Sequence, residues 1–123
     1  MTDLLDYVKR CCLILDEKKG VDIKVLDVRN KSNITDYFII ATAVAEPHLK
    51  AMSNALSKEL KGKVFLLGVD YQPESGWLVI DGVDFIVHLF LQDTRKEYGL
   101  EQLWRDAKEL DWQKIGEKKS KKA

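Results

Sequence analysis

The chain has 123 residues, 46% hydrophobic and 33% charged, and twenty basic residues cancel twenty acidic ones to a formal net charge of zero. That length supports one domain whose core needs neither disulfide nor metal, and the balanced charge excludes the broad basic footprint of a nucleic-acid binder. No apolar run reaches the length of a membrane span, and Met1-Thr2-Asp3 does not begin a secretory or transit signal, so the expectation is a cytoplasmic protein.

Leu4, Leu5, Val8, Cys12 and Leu15 recur at helical spacing behind a Thr2 or Asp3 cap, and Lys18-Lys19-Gly20 supplies a cationic last turn and a glycine stop. The spacing predicts a helix over 3–18. Cys11 and Cys12 are adjacent, and neighbouring cysteines bridge only under strain, so they read as reduced packing residues. Residues 21–29 have strand composition, 30–35 are turn-rich, and 36–43 form a nearly continuous apolar run typical of a central strand. Pro47 opens a second helix with Leu49, Met52, Leu56 and Leu60 as its buried stripe, ended by Gly62. A third strand is read over 64–69 and a loop over 70–75.

Residues 76–90 hold the strongest local signal. Asp81-Gly82 stands between two β-branched and aromatic runs, the pattern of a tight hairpin. With Asp81 and Gly82 as the loop, Ile80 faces Val83, and Leu78, Ile80, Val83, Phe85, Val87, Leu89 and Leu91 share one apolar side. The other side carries Trp77, Val79, Asp84, Ile86, His88 and Phe90. A four-residue loop keeps this two-sided arrangement. After the hairpin, Asp93 or Thr94 caps a short helix through Tyr98, Gly99 breaks it, and Leu100, Leu103, Trp104 and Ala107 mark another.

The element order α, β, β, α, β, β, β, α, α implies an α/β fold with a mixed five-stranded sheet and helices packed mainly on one face. Residues 1–110 form the domain, and 111–123 are read as a lysine-rich, disordered tail whose contacts with RNA would be nonspecific. Two coverings of the mixed hairpin side are open. It is left bare as an interaction site, or the C-terminal helices fold over it.

Asp36, Asp81, Asp84 and His88 are the sharpest catalytic candidates, since carboxylates with an imidazole can bind a metal or move protons. The bland assignments are stronger: Asp81 as turn former, Asp36 as strand entry and His88 as a sheet histidine, with His48 solvated near a helix start. No glycine-rich phosphate loop, His-Glu-x-x-His or Cys-x-x-Cys is present. Trp77 reads either as a core aromatic or as a partner anchor, because tryptophan and arginine are enriched among residues that carry binding energy. Arg95 and Tyr98, one turn apart, would extend that patch.

Taken together, Ser32-x-x-x-Asp36-Tyr37-Phe38-x-Ile40-Ala41-Thr42, Gly76-Trp77 with Asp81, Asp84 and Val87-His88-x-Phe90, and Arg95-x-x-Tyr98-x-Leu100-Glu101-x-Leu103-Trp104-x-Asp106-Ala107 closely resemble the ribosomal silencing factor family, RsfS or Iojap. The likeness runs from about Leu4 to Ala107. It departs from the family pattern at Ala43-Val44-Ala45, where Gly-x-Ser is usual, at Val83, where glycine is usual, and at Glu97, where an aromatic is frequent.

The resemblance implies a nucleotidyltransferase-like α/β fold without catalytic signature or cofactor. It also implies a translation repressor that binds the large subunit through universal large-subunit ribosomal protein fourteen and sterically blocks joining of the small subunit. Trp77, Asp81, His88, Arg95 and Tyr98 match family positions on or beside the mixed side and are the expected contacts. The rival readings are a metal-dependent nucleotidyltransferase or hydrolase using Asp36, Asp81 and Asp84, and a module that pairs with a second copy through the Trp77 side as a homodimer.

Overall fold

The computed structural model describes residues 4–33, 35–62, 68–72 and 74–115. The first helix, α1 (Leu4–Glu17), puts Val8, Cys11, Cys12, Ile14 and Leu15 on one buried stripe. The second, α2 (Glu46–Leu60), has Pro47 in its first turn, where a missing N–H costs nothing. Its Leu49, Met52, Leu56 and Leu60 are fully buried, each contributing about 1.5–3 kcal/mol by the transfer scale. The expected N-cap residues of α1 lie outside the described residues.

Among the described residues six strands form one mixed sheet: β1 (Val21–Asp27), β2 (Tyr37–Ala43), β3 (Gly68–Gln72), β4 (Trp77–Asp81), β5 (Phe85–Leu91) and β6 (Lys108–Leu110). Their spatial order is β3-β4-β5-β2-β1-β6. Strands β2 and β5 run parallel, and the β1–β2, β1–β6, β3–β4 and β4–β5 pairs are antiparallel. Central β2 is buried at every position, as its unbroken apolar composition requires.

The five-strand expectation is thus corrected to six. The helix foreseen through Ala107 stops after one turn, α4 (Leu100–Leu103), and Leu103, 76% exposed, drops out of the apolar set that Leu100, Trp104 and Ala107 keep half-buried. The chain instead extends as β6 and pairs Leu26 with Glu109 along the open side of β1. A three-residue strand is too short to carry a periodic signal. The third strand is also shifted: 63–67 lie outside the described residues, but Val69, Asp70 and Tyr71, read partly as loop, pair with Ile80, Val79 and Leu78. Tyr71 is held there by its hydroxyl, which donates to Glu46 of α2 at 2.6 Å.

Helix coverage is two-sided. The helices α1 and α2 pack on the larger core with Val25, Ile39, Leu78, Ile80, Phe85, Val87 and Leu89. On the opposite face, α3 (Gln92–Tyr98), α4 and the turn after it lie against β2 and β5, with Leu100, Trp104 and Ala107 packing on Leu26, Val28, Phe38, Ile40 and Phe90. The packed body continues past residue 110, since Trp112 and Ile115 join the larger core and Lys9 Nζ donates to the Gln113 carbonyl at 2.7 Å. The lysine-rich 116–123 fall outside the described residues. Among the described residues no helix is long and apolar enough to cross a membrane.

Candidate partner-binding face

The hairpin keeps its two-sided parity but not its two-residue loop. Ile80 faces Val87 rather than Val83, and Asp81 pairs with Ile86 across the intervening residues 82–85. Val83 takes a positive φ of 70°, and its N–H donates to Asp81 Oδ1 at 2.9 Å. Gly82 bonds Phe85, and the Asp84 carbonyl accepts from the Asp36 N–H at 3.0 Å. The wider turn wins because it lets Asp84 tie the hairpin to the start of β2.

This register places Trp77, Val79, Asp81, Ile86, His88 and Phe90 on one face. Trp77 stands opposite Phe90, with ring centroids 5.3 Å apart and stacked. Its indole Nε1–H donates to His88 Nδ1 at 3.1 Å, and Tyr98 from α3 meets it at 4.6 Å. Below them Phe38 meets His88 edge-on at 4.9 Å and Trp104 at 5.2 Å. The array runs from buried to exposed: Phe90 and His88 are 0% and 6% exposed, Trp77 is half-buried, and Tyr98 is 45% exposed. The mixed side is therefore neither bare nor sealed. Its floor lies under the C-terminal segments, and its Trp77–Tyr98 crest reaches solvent.

His88 supports this crest from beneath. Because Nδ1 accepts the indole N–H, the imidazole proton sits on Nε2, which is buried and has no hydrogen-bond partner among the described residues. Burial also pushes its pKa down to about 4, so the ring is neutral near pH 7.

Gly76 enters β4 at a φ of +66°, and a Cβ there would lie 2.5 Å from Thr94 Oγ1. Thr94, expected as a possible helix cap, instead donates to the Ser75 carbonyl at 3.0 Å, which ties the first turn of α3 to the entry of Trp77.

Arg95 serves as a clamp. Its Nε donates to Glu101 Oε1 at 2.8 Å and a terminal nitrogen to Thr42 Oγ1 at 2.6 Å, and its side chain is only 11% exposed. Gly99, in the left-handed region at φ 57°, folds α4 back so that Glu101 reaches Arg95 and also pairs with Lys24 Nζ at 2.9 Å. The Arg95 bond, opposed by burial and aided by Lys24, holds the Glu101 carboxyl down at about 2. Asp81 occupies the same face at the far end of β4, roughly 13 Å from Trp77 by strand rise, with one oxygen committed to the turn.

Trp77, His88 and Tyr98 therefore come together, Arg95 lies behind them, and Asp81 lies apart. Phe38, Thr42 and Glu101, which the sequence reading assigned no role, complete the arrangement. Phe38 and Thr42 reach it through the parallel pairing of β2 with β5, which no local pattern announces. Glu101 reaches it across a helix break that defeats spacing rules. Among the described residues no three His, Cys, Asp or Glu side chains converge as a metal site. His48, read as solvated, bridges instead: it accepts from the Val44 N–H at 2.9 Å and its other nitrogen lies 2.6 Å from the Lys18 carbonyl.

The chain has relatives in sequence and in fold. The family model described as ribosomal silencing factor during starvation matches residues 2–123. The Haemophilus influenzae ribosomal silencing factor RsfS is 41% identical over 91 residues, covering 73% of this chain and 89% of that protein. The Bacillus subtilis ribosomal silencing factor RsfS is 32% identical over 97 residues, 75% and 79%, and a chloroplastic Iojap protein of Arabidopsis thaliana is 35% identical over 110 residues, 87% and 45%. A crystal structure of a Chromobacterium violaceum protein superposes with a TM-score of 0.79 at 28% identity, covering 84% of this chain and 87% of that one. With the family model spanning nearly its whole length and the fold matching as well, the chain belongs to the ribosomal silencing factor family.

Proposed function

We propose that this protein represses translation by docking its Trp77–Tyr98 crest on the large ribosomal subunit, at universal large-subunit ribosomal protein fourteen, where its bulk obstructs joining of the small subunit. The observation that supports this reading is the partly exposed aromatic pair held by a buried floor. Rigid aromatic anchors supply large contact area at small entropic cost. A partly exposed aromatic patch of this kind suits a specific interface of about 1,600 Å² in total. Steric obstruction needs position only, so no catalytic step, cofactor or metal enters. The commitment of Asp81 to its own turn weighs against a metal-dependent nucleotidyltransferase, even if the fold has a nucleotidyltransferase-like ancestry. The test is a subunit-joining assay: added protein should lower the yield of joined ribosomes in proportion to its occupancy of large subunits, and undiminished joining at saturating protein would refute the reading.

A further inference from the structure

We propose that His88 is a positioning residue whose Nδ1 fixes the orientation of the Trp77 indole, and that this single hydrogen bond pre-organises the docking face. The inference rests on the docking role proposed for Trp77. Three observations carry it. The indole Nε1–H to His88 Nδ1 distance is 3.1 Å, a formed bond. His88 is 6% exposed, so it does not itself present to a partner. Its Nε2–H is buried beside Phe38 and Phe90 with no acceptor among the described residues, an arrangement that costs about 1–3 kcal/mol relative to an apolar ring in the same space.

A polar ring kept at that cost serves something other than packing, and the one polar atom in use is the acceptor that faces Trp77. Without that acceptor the indole retains its stacking on Phe90 and its contact with Tyr98. Its N–H then has no buried partner and turns toward water, so binding must reorder an aromatic anchor that now arrives already ordered.

The test separates this role from packing. His88→Phe keeps a ring and removes the acceptor; His88→Asn gives up ring volume but returns an oxygen near the Nδ1 position. A third variant replaces the Trp77 indole by a benzothiophene analogue, which keeps the bicyclic ring and removes only the N–H. Two readouts are taken: the Trp77 indole ¹⁵N–¹H resonance, assigned against Trp77→Ala, and affinity for purified large subunits.

His88→Phe should fold at least as stably as the parent, lose the hydrogen-bonded indole shift and bind about tenfold more weakly, the scale of one hydrogen bond. His88→Asn should regain both the shift and most of the affinity, and the benzothiophene variant should bind as weakly as His88→Phe. Parental affinity in His88→Phe or in the analogue overturns the inference, as does equal weakness of His88→Asn and His88→Phe. If His88→Phe fails to fold, the analogue decides alone. Parental binding by Trp77→Ala would instead overturn the docking reading itself.

Discussion

Mild acidification should destabilise the protein through His88. His88 titrates near 6.5 when unfolded and at about 4 when folded, because burial among Phe38, Trp77 and Phe90 penalises its charged form. The unfolded chain therefore binds a proton as pH falls through 6.5 while the folded chain does not. The stabilisation is complete above that value and drains away between about 6.5 and about 4. At about 1.4 kcal/mol per pH unit of linkage, the whole effect is about 3 kcal/mol, and about 2 kcal/mol of it is gone by pH 5. Urea unfolding of the parent and of His88→Phe, from about pH 7.5 to about pH 5, isolates it. The carboxyl of Glu101, held at about 2, loses its contribution only below its ordinary value of 4.5 and stays out of that window. The parent should lose about 2 kcal/mol more than the variant. Parallel curves for the two proteins would refute the assignment of a buried, neutral imidazole.

Glu101→Gln should cost about 1 kcal/mol at moderate salt, because the bonds to Arg95 and Lys24 are partly screened, and thermal unfolding should show the penalty shrinking as salt rises. Gly76→Ala should be destabilising by roughly 1–2 kcal/mol from its left-handed backbone alone, with a further cost because its Cβ would displace Thr94; thermal unfolding measures the sum. Cys11 and Cys12 are fully buried, and burial pushes the Cys11 thiol up to about 12 and that of Cys12 higher still. Neither should react with iodoacetamide in the native state near pH 8, and both should react in urea, as mass spectrometry would show.

The elements legible in sequence were those with long, regular patterns. The stripes of α1 and α2, the wholly apolar β2 and the alternation of β4 and β5 all follow from periodicity, and the structure has each of them. What stayed hidden depended on distant chain. The strand β6 exists because β1 has a side to pair, and the wide hairpin turn exists because Asp36 needs the Asp84 carbonyl. On the site, Trp77 and Tyr98 stood out by residue type. Arg95 stood out as an extension of the Trp77 patch, yet its Glu101 and Thr42 partners, six and fifty-three residues away, make it a clamp. His88 lay in the right strand on the right side, but burial and a tautomer, which no single sequence displays, decide how it acts.

The central claim is that Trp77 anchors the protein to the large ribosomal subunit. It is tested most directly by co-sedimentation of Trp77→Ala with purified large subunits, at protein levels matched to the parent and with folding checked by circular dichroism. The variant should remain folded and stay in the supernatant while the parent pellets; a folded variant that pellets as fully as the parent would contradict the account.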